Sequence, residues 1–210
     1  MHVVVVKEEG YEISLNWLAL SYKAKHSNMK RVAQRLKNKP ISGENKFLRQ
    51  IVLWVQISAP RYWWAEYATY KIGTVEQSES TMHTIKKELL TQANFEYPIP
   101  EGYLDYLNSL IVSDAPIEII KNALPEGFLQ TRGCTLNYDN LRNMILGRCR
   151  HRLPQWHVLV REIYRQAAHP ELLPDLELMP ERVRQNILDH IPPTIEEQEA
   201  CLLETTQTRL

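Results

Sequence analysis

The sequence predicts a protein of mixed class, α/β or α+β, with more helix than strand. Three observations lead there. Val3–Val6 and Ile51–Ile57 are β-branched, apolar runs of strand length. Several longer stretches repeat their apolar residues at helical spacing. Prolines and glycines punctuate the chain at short intervals, which bounds each stretch as a separate element.

Taken in order, Met1 to Lys7 reads as a buried strand, and Glu8-Glu9-Gly10 as a turn. Ile13 to Tyr22 places Leu15, Leu18 and Tyr22 at helical spacing. Met29 to Leu36 is a second, basic helix. It stops ahead of Lys39-Pro40, because a residue preceding proline is pushed out of the α region. Lys39 to Gly43 is loop. Phe47 to Ser58 reads as a strand, and Pro60 suits the first turn of a helix from Arg61 to Lys71. Ile72-Gly73-Thr74 breaks that helix. Ser80 to Leu90 reads as helix, Pro98 to Gly102 as turn, and Tyr103 to Ser113 as helix. A short helix follows Ala115-Pro116 and stops at Leu124-Pro125. Leu136 to Gly147 and Gln155 to Ala168 are two more, split by the arginine-rich Arg148 to Pro154. Beyond Pro170 a short helix, Val183 to His190, precedes an acidic or polar tail expected to be mobile. No internal repeat is present.

Composition removes several function classes. At 210 residues, 44% hydrophobic and 24% charged, the chain can bury one sizeable core. Its 25 Lys and Arg balance 25 Asp and Glu, which argues against a dedicated duplex-DNA binder and leaves single-strand nucleic-acid binding the lowest-ranked reading. No apolar stretch is long enough for a membrane span, and the start lacks the cationic flank of a signal peptide. Cys134, Cys149 and Cys201 are odd in number and form no CxxC, so neither a disulfide framework nor a zinc site is indicated. A cytoplasmic, reducing location is the expectation. His83, His151, His157, His169 and His190 show no metal-ligand spacing, and the glycines form no phosphate-binding loop.

Three constellations remain, each with two readings. Four arginines between Arg142 and Arg152 are either a solvated helix end or a clamp for phosphate, which guanidinium binds bidentately. The aromatics Tyr62, Trp63, Trp64, Tyr67 and Tyr70 are core or subunit interface, or else a stacking wall for a planar ring. In Ser78 to His83 at least one serine is a helix cap, and the other remains free for an anion.

Their order along the chain resembles one family. Gly43 to Thr74, GENKFLRQIVLWVQISAPRYWWAEYATYKIGT, is similar to the core of the flavin-dependent thymidylate synthases. There a Gly-His-x-Ser segment precedes a strand and a helix that ends in Arg-His-Arg, followed by x-x-Ser-x-Asn-Glu-x-Ser-x-Arg. Arg61 matches the helix-opening arginine and Thr74 the first serine. Lys121-Asn122-Ala123-Leu124-Pro125 resembles the family's Ala-Arg-x-x-Leu-Pro, and Leu136-Asn137-Tyr138, Leu141 and Arg148 resemble its Asn-Leu-Arg…Leu-Arg helix. Gln155-Trp156-His157 resembles Ala-Gln-Trp-Glu. The scaffold agrees better than the motif residues. Arg-His-Arg falls on Thr69-Tyr70-Lys71, the family's Gln three positions earlier on Glu66, and the closing arginine has no counterpart.

The resemblance implies a small, mostly antiparallel sheet packed with helices. It covers Val3 to Ala168, so residues 1–168 are expected to form one domain and 169–210 an extension. It further implies a homotetramer binding FAD and the pyrimidine deoxynucleotide dUMP, with NADPH and methylenetetrahydrofolate as co-substrates for one-carbon transfer to the base C5. The positions so implicated for substrate are Arg148, Lys121, Ser80 and Gln77. Those for cofactor are Lys71, Thr74, Asn137 and Tyr70. No residue is singled out as catalytic. The rival reading is a non-catalytic, oligomeric binding protein on the same scaffold.

Overall fold

The computed structural model describes residues 1–39 and 43–190; the predicted tail from Ile191 and part of the Lys39 to Gly43 loop lie outside them. Strand β1 (His2–Glu9) runs past the expected turn, because Lys7, Glu8 and Glu9 pair with Trp54, Leu53 and Val52 after a register shift beyond Val5. Helices α1 (Tyr11–Tyr22) and α2 (Met29–Leu36) follow, burying Leu15 and Leu18, then Met29, Ala33 and Leu36. Phe47 and Leu48 are buried in a 3₁₀ turn, Lys46–Gln50, and not in the strand predicted there. Strand β2 (Val52–Pro60) therefore starts later, and ends on the proline whose φ near −69° suits the step into α3 (Arg61–Tyr67).

Two strands were not expected from the sequence. β3 (Val75–Ser78) is a short edge strand, and β4 (Leu129–Asn137) pairs along its whole length with β2. Leu136 and Asn137, read as the start of a helix, belong to β4. Of the predicted helix from Ser80 to Leu90 only one turn forms, α4 (Thr81–Thr84). The remaining helices match within two residues or so: α5 (Glu101–Val112), α6 (Ile117–Ala123), α7 (Tyr138–Arg148), α8 (Pro154–Gln166) and α9 (Glu181–Leu188).

The sheet is antiparallel throughout, in the order β1-β2-β4-β3. Side chains alternate across it, so Leu53, Val55, Ile57 and Ala59 of β2 are buried while Trp54 and Gln56 are not. The buried face joins Cys134 and Leu136 of β4 and the apolar sides of α1, α3, α7 and α8 in one core. Leu172, Leu173, Met179, Val183 and Ile187 are buried in that same core. A second cluster, around Leu107, Ile120 and Phe128, lies under α5 and α6.

The aromatic stripe is core. Trp63, Trp64 and Tyr67 are at most 2% exposed, and Trp63 packs on Trp156 with ring centroids 4.8 Å apart. Burial of each such ring contributes about 1.5–3 kcal/mol. These three rings are closed to any stacking ligand. Among the described residues no helix is long and apolar enough to cross a membrane.

Candidate functional site

Where α3 ends, the chain makes two tight turns before entering β3, and these turns carry Thr69, Tyr70, Lys71 and Thr74. Local bonds hold their shape. Thr69 Oγ1 donates to the Glu66 carbonyl at 2.8 Å, and Thr74 Oγ1 to the Tyr70 carbonyl at 2.6 Å. The loop is pinned to the start of α7, where Asn140 Nδ2 donates to the Ile72 carbonyl at 2.7 Å. Gly73 makes this approach possible. Its φ is +77°, and a Cβ there would stand 3.2 Å from the Asn140 amide.

Asn137, last residue of β4, caps α7. Its side chain accepts the Asn140 N–H at 3.0 Å, while Asn140 Oδ1 accepts the Asn137 N–H at 3.2 Å. This reciprocal box leaves the helix start satisfied by its own side chains. Between loop and helix lies a cleft of about 390 Å³, lined by Arg49, Thr69, Tyr70, Ile72, Gly73, Asn137, Asp139, Asn140 and Asn143. Arg49 is already paired with Asp139 at 2.9 Å.

Tyr70 reaches from the cleft to the far end of α7. Gly147 clears the way, since a Cβ there would lie 3.0 Å from the tyrosine hydroxyl. That hydroxyl accepts Arg148 Nε at 3.0 Å. The other two nitrogens of Arg148 donate to Glu66 Oε2 at 2.8 Å and Thr69 Oγ1 at 3.1 Å. The guanidinium carbon also lies 5.0 Å from the Trp156 ring centroid and 5.3 Å from that of Tyr70. Each nitrogen of the fork thus has a partner within the protein.

The structure brings Tyr70, Thr74, Asn137 and Arg148 into one neighbourhood. Lys71 is exposed in the same loop. Gln77 lies in β3 opposite Gly133, on the sheet face away from the helical core, because its neighbour Glu76 is turned inward to Arg132 at 2.6 Å. Ser80 precedes α4 at the cap position, but its side chain makes no cap bond; its carbonyl alone serves the helix. Lys121 is exposed on α6, in the region of the second cluster. The sequence did not single out Asn140 or Gly73, and treated Glu66 only as a mismatch. Asn140 had a readable signal, the Asn-x-x-Asn spacing of a capping box, hidden by placing the helix start too early.

Cys134 and Cys149 are buried free thiols, and burial pushes the Cys134 thiol up to about 11. Burial likewise drives the Tyr67 hydroxyl well above its ordinary value. No group of three His, Cys, Asp or Glu poised for a metal occurs among the described residues.

The chain superposes on two crystal structures of the flavin-dependent thymidylate synthase ThyX from Helicobacter pylori, each complexed with FAD and dUMP. One gives a TM-score of 0.66 at 15% identity, covering 91% of this chain and 100% of that one. The other gives 0.67 at 14% identity, covering 92% and 100%. At these identities the likeness establishes the fold. No protein-family model and no curated protein sequence matches the chain.

Proposed function

We propose that this chain is a divergent thymidylate-synthase-like protein that binds a pyrimidine mononucleotide, dUMP foremost, in the cleft between the loop after α3 and the start of α7. The observation that carries this is convergence. Tyr70 and Asn137 line one cleft, and Thr74 and Arg148 are hydrogen-bonded to Tyr70, in a fold that two solved structures show with dUMP bound. Asn137 Nδ2 and the Asn143 amide, which line the cleft, suit the donors and acceptors of a pyrimidine edge, while the Asn140 amide is held by the cap and the loop. Arg148 is the cation best built for a phosphate, and Lys71 is exposed in the loop that carries Tyr70. Lys121, Gln77 and Ser80 stand outside this cleft and are kept as secondary candidates for substrate contact.

Flavin is a separate matter. A cleft of about 390 Å³ sits near the low end of the ~300–1,000 Å³ usual for small-molecule sites, enough for a mononucleotide and not for a dinucleotide. Its one lining arginine, Arg49, is engaged by Asp139, and Arg148 beyond it by Glu66. FAD does not fit this cleft of a single copy. That observation favours the second reading, a non-catalytic nucleotide-binding oligomer. The open face of the sheet, with Val6, Trp54 and Val75 exposed, is the surface offered to further copies, four in all by the resemblance.

Three measurements separate the readings. Calorimetric titration with dUMP tests the site itself, and absence of binding refutes it. An absorbance spectrum of the purified protein shows whether flavin is carried. A coupled assay with dUMP, FAD, NADPH and methylenetetrahydrofolate decides catalysis: methylated product supports one-carbon transfer at C5, and binding without product supports the non-catalytic reading.

A further inference from the structure

We propose that Glu66 is an internal competitor for Arg148, a carboxylate that occupies the place of an incoming phosphate and sets how tightly any oxyanion binds. The inference rests on the nucleotide reading above for the identity of the ligand alone. Its geometry stands without it.

The Arg148 side chain is only 16% exposed, whereas that of Glu66 is 39% exposed. The cation is thus the floor of the cluster and the carboxylate its solvent-side cover. Thr69 and Tyr70 supply hydroxyls on two sides of the fork, and the Trp156 and Tyr70 rings lie against the guanidinium. His151 adds a donor. Its Nδ1 accepts the Leu153 N–H at 3.2 Å, which puts the ring proton on Nε2, 3.6 Å from Glu66 Oε2. Two side chains therefore converge on one carboxylate oxygen, the arrangement an oxyanion receptor presents to its ligand.

Glu66 also sits in the last turn of α3, where the helix end is itself negative and a carboxylate is disfavoured. Its pairing with Arg148 offsets that, and a dianionic phosphate offers Arg148 the stronger partner. Displaced, Glu66 has only to turn outward into water. Binding is an exchange of one anion for another, and the observed affinity is the difference between the two.

The test titrates inorganic phosphate, dUMP and deoxyuridine into wild-type protein, Glu66→Gln and Glu66→Asp by calorimetry. Glu66→Gln is expected to bind phosphate and dUMP about tenfold more tightly, the scale of one hydrogen bond to a charged group. Deoxyuridine affinity should stay unchanged, and Glu66→Asp should fall between. Equal or weaker phosphate binding by Glu66→Gln overturns the proposal, as does an equal gain for deoxyuridine or no phosphate binding by any variant. Should Glu66→Gln fail to fold, the Glu66→Asp comparison decides by the same signs. Tighter phosphate binding with no dUMP or deoxyuridine binding upholds the competitor and refutes the nucleotide reading. Equal dUMP binding by all three proteins does the reverse.

Discussion

The loop from Ala68 to Thr74 and the segment from Val75 to Thr84 are neighbours in the chain, made of similar residues, and they behave differently. In the loop, both threonine hydroxyls and the glycine have a fixed partner: Thr69 on Glu66, Thr74 on Tyr70, Gly73 against Asn140. In the segment, Gln77, Ser78 and Ser80 are exposed, and the Ser80 hydroxyl makes no cap bond. What separates them is packing. The loop lies over Trp156 and both ends of α7, while β3 is the outer edge of the sheet. Polar residue types offer chemistry; a second element pressed against them gives that chemistry a geometry.

Substitutions sharpen the contrast, and should rank by how deeply each position is embedded. Trp156→Ala removes the floor shared by Trp63, Tyr67 and Tyr70, and should cost about 3–5 kcal/mol in denaturant unfolding. Gly73→Ala forces a side chain into a left-handed position facing Asn140. A loss of about 1–2 kcal/mol is expected, with weakened dUMP binding in the same protein. Asn137→Ala takes away the cap of α7 and should cost about 1 kcal/mol, read as a lower thermal midpoint. Ser80→Ala should stay within about 0.5 kcal/mol of wild type. A Ser80→Ala loss as large as that of Asn137→Ala would erase the distinction between the two regions.

Alkaline titration adds a check on the interior. The Cys134 thiol is raised from its ordinary 9.0 to about 11 in the folded protein, so between those values the folded state holds a proton that the unfolded state releases. The contribution of Cys134 to stability is constant below pH 9 and is lost as the pH climbs toward 11. Cys134→Ala should blunt the fall in stability, leaving what the buried hydroxyls of Tyr67, Tyr138 and Tyr164 contribute.

Much of the helical scaffold was legible. Prolines 100, 116 and 154 mark where α5, α6 and α8 begin, and apolar spacing carries each to its end. β4 was not legible, because Thr131, Arg132, Gly133 and Thr135 show no apolar alternation; the strand exists through its pairing with β2 on one side and β3 on the other. The site divides the same way. The resemblance pointed to Tyr70, Thr74 and Asn137, which the fold brings near one another. The role of Glu66 was not, since its partner lies 82 residues away and only the folded chain sets the two side by side.

The most direct test of the central claim is where dUMP lands. Backbone amide chemical shifts recorded during a dUMP titration should move at Thr69 to Gly73 and at the first turn of α7, with Gln77, Ser80 and Lys121 nearly still. Shifts confined to Gln77, Ser80 and Lys121, or none at saturating nucleotide, would contradict it.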